Sequence, residues 1–247
     1  MIEHTTLFGL SSGIIGLMAV VFFGWTVRRS SRFRVYGFAV VVACGAMSVA
    51  YLLMAAEVLT VTTTGREESV ARFFGYTIAW AAVCGVVGAV TDADRRYVIG
   101  LLVFVLGCLW GTFASWVLGG LAGTVVSIGI FTSLIAMVYV LFGPLTNSAR
   151  TVSADRLLLY EKTRNLVILV FAGLLLTGLV SEQNFGLTDA FVGQLAATYI
   201  DLVWLAGFGG LVFRYQDALE EAGNGPLGTT TRDDDSSLGE SAAGAAN

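Results

Sequence analysis

The stretch TYIDLVWLAGFGGLVF, Thr198–Phe213, holds one carboxylate, Asp201, in a run otherwise suited to an apolar solvent. A charge at the centre of a membrane helix costs roughly 2.5–3.5 kcal/mol on insertion scales, so Asp201 needs a partner or a task. The rest of the chain has the same character. Of its 247 residues 56% are apolar and 13% charged, and the mean hydropathy is +0.78. That charged fraction is about half that of a soluble domain. Seven apolar runs are long enough to cross a bilayer: Thr6–Val27, Tyr36–Val58, Val70–Val90, Tyr97–Leu118, Leu121–Leu145, Leu157–Val180 and Asp189–Phe213. Spanning needs roughly 18–20 residues. The expected fold is an all-α membrane protein, a bundle of seven transmembrane helices over residues 1–219. The runs are continuous rather than alternating, which argues against a β-barrel. The first has the length of a span, with its basic block after it, so a cleavable signal is not expected.

Basic residues predict the orientation. Arg28, Arg29, Arg32 and Arg34 follow the first run, and Arg95 and Arg96 follow the third. Arg150, Arg156, Lys162 and Arg164 precede or open the sixth, and Arg214 and Arg232 follow the seventh. These are 12 of the 14 Lys and Arg residues, with Arg66 and Arg72 on the other side. The positive-inside rule makes the rich side cytoplasmic, the N-terminus outside and the C-terminus inside. Residues 220–247 are small, polar and acidic, which predicts a disordered cytoplasmic tail. Its acidity, with a sequence pI near 5.0, suits a halophile.

Cys44, Cys84 and Cys108 fall inside spans without disulfide or metal spacing, and read as small packing residues. No metal site is expected, and the lone His4 belongs to a solvated N-terminal tail. Within the spans Arg72 and Glu57 stand near the outer ends of the third and second runs, and Asp201 lies deeper in the seventh. Arg72 and Asp201 can neutralise each other as an intramembrane ion pair, or belong to an ion or proton path. No chain of carboxylates crosses the bilayer, which favours the pair. Glu57 completes the expected polar cluster.

Several stretches resemble the microbial rhodopsin family, and its sensory branch most. VARFFGYTIAWAAVCGVVGAVTDAD (Val70–Asp94) is similar to the family's third helix, VYVLFGPLTNSA (Val138–Ala149) to the end of the fifth, and LLYEKTRNLVILVF (Leu158–Phe171) to the sixth. TYIDLVWLAGFG (Thr198–Gly209) matches the seventh, where the resemblance implies a lysine four residues after the aspartate, bonded to retinal. One helical turn puts both positions on one face. Here that position is Leu205, and the chain's one lysine is Lys162. Leucine offers no nucleophile, so no covalent retinal is expected.

The same register implies that the counterion position is Gly75 and the pumps' proton-donor position Val86, neither titratable, so proton pumping is not expected. The resemblance also implies that Tyr51 of the second helix joins Arg72 and Asp201 in the polar cluster. Tyr76, Phe171 and Gly178 stand where the family's retinal-contacting tryptophans do, while Trp80 replaces a small residue. With Leu174 and Trp204 these make a vestigial pocket. Gly75 and Gly178 open space in it, and Trp80 with its neighbours is expected to collapse into that space. A non-covalent retinoid is the alternative occupant.

The resemblance implies a lysine-less opsin homologue acting as a signalling or regulatory component through membrane partners. A transducer-like protein or another opsin would dock on the sixth and seventh helices, with Tyr199 at a position the sensory branch uses for contact. The alternative is a non-covalent retinoid or carotenoid receptor or carrier. A third reading, an ion channel, lacks a ring or file of polar residues along any span. An enzyme is not expected, since no nucleophile–base pair or metal cluster appears. The basic face suits anionic lipid headgroups, the bilayer rather than nucleic acid is the expected surroundings, and an oligomer is compatible.

Overall fold

A computed structural model of the chain describes residues 4–63, 67–118, 120–181 and 185–222. The helices are α1 (His4–Val27), α2 (Ser31–Ala55), α3 (Val70–Thr91), α4 (Arg95–Val117), α5 (Gly120–Phe142), α6 (Pro144–Ala149), α7 (Ala154–Val180), α8 (Ala190–Arg214) and α9 (Gln216–Ala222). Seven are long and apolar enough to span a bilayer, α6 prolonging the fifth span. The chain is thus a multi-pass membrane protein. Between its terminal turns the backbone groups of a spanning helix bond within it, which lets this sequence lie in lipid.

A two-stranded hairpin, β1 (Thr60–Thr62) with β2 (Glu67–Ser69), joins α2 to α3, with Val61 opposite Glu68. It marks the hairpin end of the bundle. The opposite, basic end carries the described arginines assigned above to the rich side, and Lys162 is exposed there. Arg66, Arg232 and the tail beyond Ala222 lie outside the described residues. Helix α9 continues the fold past the expected boundary at Leu219. Ala218 and Leu219 are buried, while Ser30 donates to Glu220 at 2.6 Å and Ser153 to Glu221 at 2.7 Å.

Local chemistry explains the turns. Ser30 accepts from the Phe33 amide and starts α2, and Asp94 accepts from the Arg96 amide and starts α4. The fifth span breaks between α5 and α6 because Pro144 has no amide hydrogen to continue the ladder. Arg156, buried, donates to the Val90 and Ala89 carbonyls at 3.0 and 2.8 Å. It satisfies orphan acceptors at the C-terminus of α3 and ties α7 to it.

Neighbours in sequence pack as neighbours in space, α1 on α2, α2 on α3, α4 on α5 and α7 on α8, and α8 closes back on α1 and α2. Close approach depends on glycine at two crossings. A Cβ on Gly209 would lie 2.3 Å from the Phe22 ring, and one on Gly75 would lie 2.7 Å from Ala50 Cβ. Gly75 therefore opens no space in the bundle interior, contrary to the expectation above. It faces α2 and lets the helices touch. The three cysteines are free and buried, as packing residues are. His4 is exposed, its ring 5.4 Å from that of Phe191.

Candidate functional site

Asp201 is fully buried on α8 and collects donors from two other helices. Tyr51 of α2 donates to Oδ2 at 2.7 Å, and Tyr76 of α3 lies 2.9 Å from both oxygens. Arg72 of α3 closes the group, its Nη2 at 3.1 Å from Oδ2 and 2.7 Å from the Tyr51 hydroxyl. Its Nη1 donates to Gln194 Oε1 at 2.9 Å. Glu68, buried on β2, adds a second carboxylate to the electrostatic surroundings of Arg72. Charge-assisted bonds of this kind are the strong ones, and here they replace the water that both ions give up.

The pair expected from the sequence is thus formed, and Tyr51 belongs to it. Glu57 does not. Helix α2 ends at Ala55, and Glu57 sits exposed in the following turn with φ 55°. Tyr76, expected in the vestigial pocket, also aims its hydroxyl at Asp201. Gln194 and Glu68 were missed. Gln194 precedes Asp201 by seven residues, two helical turns on the same face, a signal that could have found it. Glu68 lies in the hairpin, where no periodicity points inward.

Next to this cluster an aromatic plug fills the bundle interior. Trp80 and Trp204 are both 1% exposed and stack with centroids 4.5 Å apart and planes 16° from parallel. Phe171 packs on Trp80 at 5.2 Å, and Tyr76 reaches Trp204 at 6.3 Å. Such pairs contribute about 0.5–1.5 kcal/mol beyond their buried area. Leu205 is fully buried and Val86 nearly so, both within the apolar core. The collapse expected around Trp80 is partial: the stack fills the interior beside Leu205 but does not reach the space at Gly178. Tyr199, by contrast, projects outward and is 66% exposed.

On the hairpin side of the plug lies a cavity of about 840 Å³, walled by α3, α4, α5, α7 and α8. Phe171, Leu174 and Gly178 line it, and nothing lies within 4 Å of a Cβ built on Gly178. Here the expectation of open space holds. Arg72, Tyr76 and Gln194 form part of the wall. Six hydroxyls line it too, Thr112 and Ser115 from α4, Thr124 and Ser127 from α5, Thr177 from α7 and Ser181 just after it. No single span carries a polar file, and only convergence of the helices assembles these. The cavity is partly open at the surface of the bundle rather than sealed within it.

Comparison with known proteins agrees with this architecture. The sequence model of the bacteriorhodopsin-like protein family matches residues 2–219. Sensory rhodopsin-2 of Natronomonas pharaonis is 29% identical over 212 residues, covering 85% of this chain and 87% of that protein. Cruxrhodopsin-3 of Haloarcula vallismortis is 26% identical over 225 residues, covering 87% and 90%. Among solved structures, the thermophilic rhodopsin of Rubrobacter xylanophilus superimposes with a TM-score of 0.81 at 19% identity, covering 90% of this chain and all of that one.

Proposed function

From the premise that this chain belongs to the bacteriorhodopsin-like family, whose members are photoreceptors, pumps and sensors rather than enzymes, we propose that it is a lysine-less member. It binds no retinal covalently, pumps no protons, and acts as a signalling or regulatory component through membrane partners. Leu205 carries the reading: four residues after the buried Asp201, a fully buried leucine occupies the position where the family resemblance implies the retinal lysine. The one lysine, Lys162, is exposed at the basic end. Further support comes from the Trp80–Trp204 stack, which fills the interior beside that position, and from Gly75, whose crowding against α2 leaves a carboxylate no room.

By the positive-inside rule the basic end faces the cytoplasm and the hairpin end the outside. A partner helix of the transducer type would lie on α7 and α8, where Tyr199 is available for contact. The expected test result is that purified protein mixed with all-trans-retinal develops no red-shifted band and yields no retinyl adduct after borohydride reduction. A reduced adduct on the intact polypeptide, detected by mass spectrometry, overturns the reading. A photo-crosslinker at position 199, in native membranes, should join the chain to another helical membrane protein. Crosslinks to lipid alone count against the partner role. A retinoid carrier is the second reading, and the stacked tryptophans weigh against it by filling the interior beside Leu205.

A further inference from the structure

We propose that the cavity between α3, α4, α5, α7 and α8 binds an uncharged amphiphile, with its apolar part against the aromatic plug and a hydroxyl-bearing head towards the hairpin end. The inference stands on the cavity and goes beyond the partner reading. The hydroxyls of the wall gather towards the hairpin end, among the apolar Phe73, Trp116 and Leu179. Phe131, Leu134, Phe171 and Leu174 line the deep part, near the middle of their helices, and the hydroxyl residues line the part nearer the hairpin end. Water wets a polar wall with several partners, but an apolar one is better filled by hydrocarbon. One occupant meeting both demands has an apolar body and a polar head.

The hydrogen-bond inventory selects the head. Thr112, Ser115, Thr124, Ser127, Thr177 and Ser181 each lie within 2.7–3.3 Å of a carbonyl of their own segment. A carbonyl only accepts, so each hydroxyl has spent its proton and keeps lone pairs for a visitor. Arg72, 7% exposed, lines the same space, but its Nε is buried away from it. The head must therefore donate to oxygens, which a hydroxyl does.

An anionic head is excluded by the neighbours: Asp201 lies 3.1 Å from Arg72 and Glu68, on the same wall, adds a second negative charge, so such a head finds no uncompensated cation. The plug of Trp80, Trp204 and Phe171 closes the deep side, so the occupant extends along α4 and α5 and does not reach across the bundle towards Leu205.

The test uses full-length protein, lipid-stripped in detergent, and radiolabelled monoolein as probe. Saturable binding of one molecule per chain is expected. Gly178→Phe, which builds a ring into open cavity space, should weaken it by at least about tenfold. Gly210→Phe, also with nothing near its Cβ but outside the cavity wall, should bind as the parent does. Thr177→Val with Ser127→Ala removes two wall oxygens without filling space and should cost about tenfold, the loss of two neutral hydrogen bonds. Absence of saturable binding overturns the proposal, as do equal affinities of the Gly178 and Gly210 variants. Stronger binding of palmitate than of monoolein refutes the uncharged head, and binding of all-trans-retinal without monoolein refutes the ligand class. Solvent extraction of protein never stripped of lipid distinguishes the sources. A stoichiometric neutral lipid means supply from the membrane, and binding of added monoolein alone means supply from outside.

Discussion

The Arg72–Asp201 pair makes a quantitative demand on a double-mutant cycle. Across 3.1 Å, at an effective dielectric near 20, the attraction is about 5 kcal/mol. In Asp201→Asn it disappears, and the guanidinium stays buried with Gln194 and the Tyr51 hydroxyl as remaining acceptors. Loss of one partner of such a pair costs about 3–5 kcal/mol. In Arg72→Gln the carboxylate keeps both tyrosine donors, so the loss falls near the lower bound, about 3 kcal/mol. The double variant buries no charge of the pair, and its two amides can bond the same tyrosines. Its cost should be only about 1–2 kcal/mol, so the coupling is about 4–7 kcal/mol and the double variant is more stable than either single one. Unfolding by SDS titration in bicelles, followed by helical circular dichroism, measures all four corners. Additive losses, with a coupling below about 0.5 kcal/mol, refute the reasoning.

Three further outcomes follow from named contacts. Gly75→Val drives methyl groups into Ala50 and Met47 of α2 and should cost about 1–3 kcal/mol by overpacking, read in the same unfolding assay. Arg156→Met removes two bonds to the α3 carbonyls. It should destabilise by about 1.5–3 kcal/mol, with faster hydrogen exchange at the last turn of α3. Leu205→Lys should yield no pigment with all-trans-retinal, because the stack still fills the interior beside it. Leu205→Lys with Trp80→Ala, which opens that interior, should restore a band fixed by borohydride. Pigment from the first variant alone would show that the stack is no obstacle.

Much of this protein is decided by periodicity and composition. Seven apolar runs determine seven spans, because lipid leaves the backbone no other partners than its own helix. Asp201 and Arg72 are forced towards each other by the cost of an isolated charge, and Tyr51 fits the same register. Leucine at 205 settles the absence of an amine there whatever the packing. Tertiary structure decided the rest. A helical period tells which residues share a face, but not how far each helix is turned about its axis or how closely it meets its neighbour. That rotation sends Gly75 against α2, swings the Tyr76 hydroxyl onto Asp201 and brings Gln194 to Arg72. The end of α2 at Ala55 leaves Glu57 in the turn outside. Six hydroxyl-bearing residues scattered over three segments share one wall only because the packed pair α4 and α5 faces α7 across the cavity, a placement no single helical period encodes.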